Sequence, residues 1–277
     1  MSSILITGGT GTIGSSLVKY YLNKGTYERV IVFSRDEFKQ SEMRKKYSNT
    51  CLRFFLGDIR DKDRLMRACE GVDVIVHAAA LKRIESGERD PIEVVKTNVD
   101  GTINVVDAAL DNDVLRLILI STDKAVLPTC LYGHTKAVAE SLTLHASAYA
   151  GHRRTSFGVV RMGNIAGSRG SVIPFFNELK KQRKSLPVTD VNMTRYLVST
   201  EMACDTIDRA INSDYEQVFT PDPPAFRLID LLEAYGCNWH TVGKRQGEKL
   251  HEQMTEELSS DKAERFLTVD ELREIIE

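Results

Sequence analysis

The chain has 277 residues, 42% hydrophobic and 27% charged, with a net charge of −2, which is ample for a sizeable core in one large domain or two smaller ones. The near-neutral balance gives no electrostatic case for nucleic acid or an anionic membrane as partner, and no apolar stretch approaches the ~18 residues of a spanning helix. No basic segment with an apolar signal core precedes the first strand, and Cys51, Cys69, Cys130, Cys204 and Cys237 show no metal-ligand spacing, so reduced thiols in a cytoplasmic protein without a metal are expected.

Ile4, Leu5 and Ile6 form a short apolar run that predicts a buried strand. Thr7-Gly8-Gly9-Thr10-Gly11-Thr12-Ile13-Gly14 follows at once, and Leu17, Val18, Tyr21 and Leu22 then recur at helical spacing. Strand, glycine turn and helix is the context of a dinucleotide fingerprint. Gly8 permits the tight turn, Gly11 lets the backbone approach a pyrophosphate at the positive end of the helix, and Gly14 permits close helix–strand packing. A second strand over 29–33 ends in Ser34-Arg35-Asp36-Glu37. Arginine accommodates the 2′-phosphate of NADP, and Arg35 comes first, with Ser34 beside it and Lys39 a turn later, so NADP is expected. The alternative is that Asp36 holds the ribose hydroxyls of NAD and Arg35 is solvated. A strand over 51–56 leads to Asp58 and Ile59, placed to meet the adenine. One over 72–76 leads to His77 and to Ala78, Ala79 and Ala80, whose small side chains let the chain pass under a cofactor. His77 reads as a packing residue. Thr97 and Asn98 fall inside a predicted helix over 92–110, where they either face the site, with Asn98 touching the cofactor, or are solvated.

The apolar run 115–120 predicts a central parallel strand. Its end delivers Ser121, Thr122, Asp123 and Lys124 into the crevice where open α/β sheets bind ligands. Tyr132 and Lys136 follow, with a helix expected over 134–149. Tyr-x-x-x-Lys sets a phenol and an ammonium one turn apart, and the charge favours the phenolate of a group whose ordinary pKa is ~10. Asp123 and Lys124 supply a second acid/base couple. The pattern predicts an α/β chain with a Rossmann-type doubly wound parallel sheet over 1–162 and a smaller substrate lobe over 163–277. In that lobe Arg169, Arg195 and Arg245 stand singly near turn residues, suited to bidentate contacts with a diphosphate or else engaged in surface salt bridges. Residues 252–277 are rich in Glu and Asp and read as exposed helix with a solvated face.

With these features placed, the chain resembles the extended short-chain dehydrogenase/reductases, and within them the inverting UDP-N-acetylglucosamine 4,6-dehydratases. The strings that carry the resemblance span nearly the whole chain. They include Phe33-Ser34-Arg35-Asp36-Glu37, Ala78-Ala79-Ala80-Leu81-Lys82, Ser121-Thr122-Asp123-Lys124-Ala125, Met162-Gly163-Asn164, the run from Gly167 through Arg169, Gly170, Ser171 and Val172 to Phe176, Met193-Thr194-Arg195, and Gly247-Glu248-Lys249-Leu250-His251-Glu252. The resemblance implies NADP as cofactor, UDP-N-acetylglucosamine as substrate and a homo-oligomer, dimer or hexamer. It implies that Asn164, Arg169, Arg195 and Arg245 hold the UDP-sugar, with Lys82, Gly170, Ser171, Val172 and Glu248 in the matching strings.

It further implies a temporary oxidation. Tyr132 takes the 4-hydroxyl proton while hydride passes from C4 to NADP+, with Lys136 favouring the phenolate and Thr122 orienting the hydroxyl. A neutral Lys124 then removes the C5 proton, Asp123 protonates the leaving 6-hydroxyl, hydride returns to C6, and a proton returns to the opposite face of C5. As an ion pair, Asp123 and Lys124 would each resist the required form, so they titrate together. Retaining relatives are similar but carry Asp-Glu in place of Asp123-Lys124. The alternative for Lys124 is a structural pairing with Asp123 at the crevice rim. The chain departs from the family pattern at His134, over 83–89, at Gln246 and in a shorter C-terminal lobe. A nucleotide-sugar 4-epimerase would share Tyr132 and Lys136 without needing Asp123-Lys124. A non-catalytic NADP-binding regulator would keep the glycine turn and lose Tyr-x-x-x-Lys.

Overall fold

The computed structural model describes residues 2–245 and 247–276, so Gln246 lies outside the described residues. Strand β1 (Ser3–Thr7) is buried throughout and leads through the glycine turn into α1 (Thr12–Lys24). The unit repeats as β2 (Arg29–Ser34), α2 (Glu37–Lys46), β3 (Leu52–Leu56), α3 (Lys62–Cys69) and β4 (Val74–His77). Asp36 and Asp61 cap α2 and α3 by accepting the backbone N–H of Lys39 and Arg64. Helices α4 (Ile84–Arg89), α5 (Pro91–Val95) and α6 (Gly101–Asp111) follow. Between α5 and α6 the backbone makes a π turn over Lys96–Asp100, where an unbroken helix was expected. Asn98 sits in that turn with its side chain bonded to the loop after β4, and Gly101 sits so close to Ile59 that a Cβ would lie 2.6 Å from its Cδ1. Such a bulge re-aims side chains at a site.

Strand β5 (Arg116–Thr122) ends in a 3-10 turn, Asp123–Ala125. Helix α7 (Leu131–Leu144) starts earlier than the expected His134, so Tyr132 lies inside its first turn, and it ends before a 3-10 turn at Ala146–Tyr149. Strand β6 (Ser156–Met162) completes the alternation. The remaining elements are β7 (Asn164–Ile165), α8 (Val172–Lys181), β8 (Leu186–Val188), β9 (Thr194–Val198), α9 (Thr200–Ile211), β10 (Val218–Phe219), β11 (Ala225–Arg227), α10 (Leu228–Tyr235), β12 (Trp239–Thr241) and α11 (Val269–Ile276).

The large sheet has seven strands in the order β10-β6-β5-β4-β1-β2-β3, all paired in parallel. The chain winds outward from β1 to β3, then restarts beside β1 with β4. That reversal opens a crevice at the carboxyl ends of β1 and β4, as in other doubly wound sheets. Alternate strand residues feed two cores. Ile4, Ile6, Val30, Val32, Val76 and Ile118 face α1 and α9, whereas Leu5, Ile31, Phe33, Ile75, Leu117 and Phe157 face α3 and α6. Burial on both faces explains why these strands read as continuous apolar runs.

Residues 163–277 build a three-stranded sheet, β11-β9-β7, and a two-stranded one, β12-β8, around a third core that includes Ile173, Phe176, Phe226, Leu231 and Tyr235. They also return α9 against α1 and β10 to the edge of the large sheet. The exposed helix expected over 252–277 is corrected. Among the described residues of that stretch only Val269–Ile276 is α-helical, and what precedes it is a loop with a 3-10 turn at Ser260–Lys262, tied down by bridges between Gln253 and Ser259 and between Ala225 and Phe266. Met254, Ser260, Leu267 and Leu272 anchor it in the interior, a few side chains that an acidic composition hides. Among the described residues no helix is long and apolar enough to cross a membrane.

Candidate active site

At the β1–α1 turn Gly8 adopts φ 64°, and a Cβ there would lie 2.8 Å from the Cα of Ala79. The small residues after β4 therefore press directly on the glycine turn. Gly14 seats α1 on the same turn, since a Cβ would lie 2.6 Å from the Cα of Gly9. Gly11 caps α1 without a side chain, which leaves first-turn N–H groups open toward the crevice. The resulting cleft of about 310 Å³ is lined by Gly8, Thr10, Gly11, Phe33, Ser34, Arg35, Asp36, Lys39, Gly57, Asp58, Ile59, Ala78, Ala79, Ala80, Thr97 and Arg169. Thr12 and Ile13 lie in the first turn of α1, where Ile13 packs against the core and the Thr12 carbonyl accepts from the Ser15 and Ser16 hydroxyls.

At the outer end of the cleft, Asp36 caps α2 and pairs with Lys39, whose hydrogen bond holds the carboxyl below its usual range. Ser34 is locked by Gln40, whose Nε2 donates to its Oγ and carbonyl at 3.0 Å. Arg35 Nη1 lies 3.3 Å from Asp58 Oδ2, and its side chain is 51% exposed. Asn98 corrects one expectation. It accepts from Leu81 N–H (2.8 Å) and donates to Leu81 O (2.9 Å) and Thr135 Oγ1 (3.1 Å), so it braces the loop instead of lining the cleft. The neighbouring Thr97 lines it, with its Oγ1 unbonded.

At the end of β5, Asp123 is fully buried. Its Oδ1 accepts from Thr122 Oγ1 and from Lys124 Nζ, each at 3.0 Å, while Oδ2 has no hydrogen-bond partner. Lys124 Nζ also lies 3.2 Å from Glu252 Oε1. Burial pushes the Lys124 pKa down, but the charges of Asp123 and Glu252 outweigh it and raise it above that of an ordinary lysine. Between two carboxylates the resting Lys124 is favoured as the ammonium, so the neutral form that a base requires arises only by moving a proton off Nζ. Tyr132 is pushed up to about 12 by burial, against the pull of Lys124 and Thr122. Lys136, expected to be the activating cation, is buried and pushed down to about 8, with Glu140 opposing the fall. It makes no hydrogen bond or ion pair with other described residues.

The approach of α7 to Lys124 depends on Gly133, where a Cβ would collide with the Lys124 carbonyl oxygen. The helix start is fixed by Cys130, whose Sγ accepts from Gly133 N–H, and by Glu88, whose Oε1 accepts from Leu131 N–H at 2.8 Å. The divergent stretch 83–89 thus forms α4 and supports the Tyr132 helix. His134 is exposed. His77 is satisfied by Thr7 Oγ1 (2.7 Å) and Thr102 Oγ1 (3.2 Å), and burial, aided by the Lys136 charge, pushes it down to about 3, so it is neutral packing.

In the lobe, Lys82 Nζ donates to Ser168 Oγ (2.9 Å), and burial together with Arg169, Arg83 and Lys124 lowers its pKa. Asn164 lies in β7, Gly170 turns the chain with φ 78°, and Ser171 and Val172 open α8. The three arginines stand apart, each with its own partners. Arg169 Nη2 donates to Thr10 O (2.8 Å), over the glycine turn. Arg195 brackets the 248–252 segment by donating to the carbonyls of Thr194, Leu250 and Lys249. Arg245 Nη1 pairs with Glu85 at 2.9 Å near the surface, and its N–H meets Glu248 Oε2 at 3.4 Å. Glu252, 3% exposed, was missed by sequence reasoning. Its signal is the Glu-x-x-x-Glu spacing around Lys249, obscured by the acidic residues that follow.

Several observations fit a bound dinucleotide in this crevice: the glycine cradle, the open helix start, and the buried but unpartnered Thr97 Oγ1 and Ser121 Oγ. Residues 4–272 match the profile of the polysaccharide biosynthesis protein family. The chain belongs to that family. It is 43% identical over 267 residues to the UDP-N-acetylglucosamine 4,6-dehydratase (inverting) of Campylobacter jejuni subsp. jejuni serotype O:2, covering 94% of this chain and 78% of that relative. It is 36% identical over 272 residues to the UDP-glucose 4-epimerase of Rickettsia rickettsii, covering 95% and 80%. The X-ray structure of Pen from Bacillus thuringiensis superposes with a TM-score of 0.93 at 32% identity, covering 99% of this chain and 96% of that one. Family membership agrees with the resemblance carried by the sequence strings, and the parallel sheet with its smaller lobe is the expected architecture.

Proposed function

We propose that the protein is an NADP-dependent UDP-N-acetylglucosamine 4,6-dehydratase that inverts C5, a hydro-lyase. One observation carries the reading: the pair of buried Asp123 with Lys124, one Asp123 oxygen unbonded, beside Tyr132. Proton transfer at C4 needs only Tyr132 and Thr122, so a 4-epimerase, the activity named for the Rickettsia relative, leaves this second pair without a task. The 43% identical relative named as an inverting dehydratase supports the same choice.

The residues that would hold the dinucleotide are the glycine turn, the start of α1 and Arg169 at the pyrophosphate, and Asp58 and Ile59 at the adenine. Arg35 favours NADP over NAD, because it is largely exposed at the cleft mouth while Asp36 is occupied by Lys39 and the α2 cap. When bound, the nicotinamide supplies a reversible hydride acceptor that takes hydride from C4 and returns it to C6. Tyr132 takes the 4-hydroxyl proton, Thr122 orients that hydroxyl, and the charges of Lys124 and Lys136 offset the phenolate.

The next step follows from the 3.0 Å hydrogen bond between Lys124 and Asp123. Moving one proton across it turns the ion pair into an amine and a carboxylic acid, the base and the acid that elimination requires together. The amine takes the C5 proton, the C5–H electron pair becomes the C5–C6 double bond, and the C6–O bond breaks as Asp123 protonates the departing water. The ion pair is then restored, the ammonium returns a proton to C5, and the proton that Tyr132 took from the 4-hydroxyl passes to Lys124 to reset the starting pair. Inversion needs delivery on the opposite face, and the flexible Lys124 stem supplies the change of position. Residues 1–162 serve the cofactor and 163–277 the sugar in this reading, in a cytoplasmic homo-oligomer, dimer or hexamer.

Incubation with NADP and UDP-N-acetylglucosamine tests it. The expected product is a 4-keto sugar that absorbs in alkali. UDP-N-acetylgalactosamine without that absorbance indicates an epimerase, and no product indicates a regulator.

A further inference from the structure

Glu252 belongs to the C-terminal segment, yet its carboxylate meets Lys124 at the end of β5. Oε1 lies 3.2 Å from Lys124 Nζ and 3.9 Å from Arg195 Nε, and Oε2 lies 3.8 Å from Lys249 Nζ without accepting a hydrogen bond. The backbone of Glu252 is pinned on both sides: its N–H donates to Ser260 Oγ (3.0 Å), and its carbonyl accepts from Ser260 N–H (2.8 Å). Ser260 Oγ in turn pairs with Thr194 Oγ1 at 2.7 Å. The charged groups facing the carboxylate are Lys124 from the β5 turn, Arg195 from β9 and Lys249 from its own segment, while Asp123 and Glu248 meet the same cations, Lys124 and Arg195. A carboxylate this buried persists only beside cations. The two cations of its own lobe stand farther off than Lys124, so its closest charge contact is with the residue that handles the C5 proton.

We propose that Glu252 is a positioning residue for proton transfer at Lys124: it holds the amine for the first transfer and stabilises the ammonium that forms when Lys124 takes the C5 proton. The proton stays on Nζ and none passes to Glu252. A negative charge at this distance makes the amine a stronger base, which favours its taking the C5 proton. The role in turnover rests on the dehydratase reading above, whereas the charge linkage does not.

The full chain labelled at lysine Cε tests both parts by 13C NMR, with the Lys124 signal assigned by its loss in K124R. In E252Q, which keeps shape and removes charge, the Lys124 titration midpoint is expected to fall by about one pH unit or more, and in E252D by less. Turnover of UDP-N-acetylglucosamine by E252Q should show kcat lowered about tenfold or more with KM within about twofold, and a larger isotope effect from 5-deuterated substrate. An unchanged midpoint in folded E252Q overturns the proposal. Should E252Q not fold, E252D decides, and a midpoint there that does not fall overturns it equally. A lowered midpoint in a protein whose wild type forms no 4-keto product overturns the role in elimination and the dehydratase reading, while the charge linkage stands.

Discussion

Two lysines of the crevice are driven in opposite directions by their surroundings. Burial takes Lys136 down to about 8 against the weaker opposing charge of Glu140, whereas Lys124 has two carboxylates and rises. The lowered Lys136 pKa sets a pH dependence of stability. Its folded value lies below the ordinary 10.5 of a lysine, so the unfolded chain binds more protons between about 8 and 10.5. Stability is therefore reduced below pH 8 and recovers as pH rises through that window. Lys136→Met should lose this alkaline recovery in a thermal melt series, and a wild type that weakens across the window from this group would contradict the assignment. Lys124→Ala leaves Asp123 and Glu252 facing each other without their shared cation. It should abolish dehydration, retain NADP binding, and cost about 3 kcal/mol of stability by denaturant titration. Normal turnover would remove the role given to Lys124. Asp123, Lys124, Tyr132 and Lys136 were legible because they fall close together on one strand end and one helix turn. Glu252 was not, because its partners come from β5 and β9, and acidic neighbours made it resemble a solvated surface.

At the scale of elements, the site depends on how closely α7 lies on the Asp123–Ala125 turn. Gly133→Ala drives a methyl group into the Lys124 carbonyl and forces the two apart. Dehydration should fall by about 10²-fold, the usual effect of a misplacement near 1 Å, with NADP affinity nearly unchanged because the glycine turn is elsewhere. Equal losses in both would mean that α7 supports the whole crevice. The strands of the large sheet were legible as apolar runs because helices cover both faces. The π turn at Lys96–Asp100 was not, since it is set by Asn98 reaching Leu81 and Thr135 in other segments. Strand β10 was equally hidden: its two residues gain meaning only by pairing with β6. The Gly-rich turn was legible in the sequence, but not that Arg169 would reach back from the lobe to Thr10.

Across the whole molecule, the lobe is tied to the large sheet by α9, β10 and the arginine-bracketed segment that ends at Glu252. His77 ties β1, β4 and α6 through Thr7 and Thr102 at the centre of the sheet. Its folded pKa of about 3 lies below the ordinary 6.5 of a histidine, so the unfolded chain takes up a proton first as pH falls. Stability should drop as pH falls from 6.5 to 3, by roughly 1.4 kcal/mol for each pH unit crossed. His77→Asn should flatten this part of the acid unfolding curve, and an acid limb as steep as that of the wild type would assign the loss to other groups. The same tie between sheet and lobe brings the Glu252 carboxylate to Lys124 in the turn after β5, where the proposed chemistry takes place. That chemistry is tested most directly by proton NMR of UDP-N-acetylglucosamine turnover in deuterated water. The account predicts a 6-methyl signal, deuterium at C5 and the couplings of the L-arabino-hexulose. Immediate appearance of the D-xylo product, or of N-acetylgalactosamine without a 6-methyl signal, would contradict it.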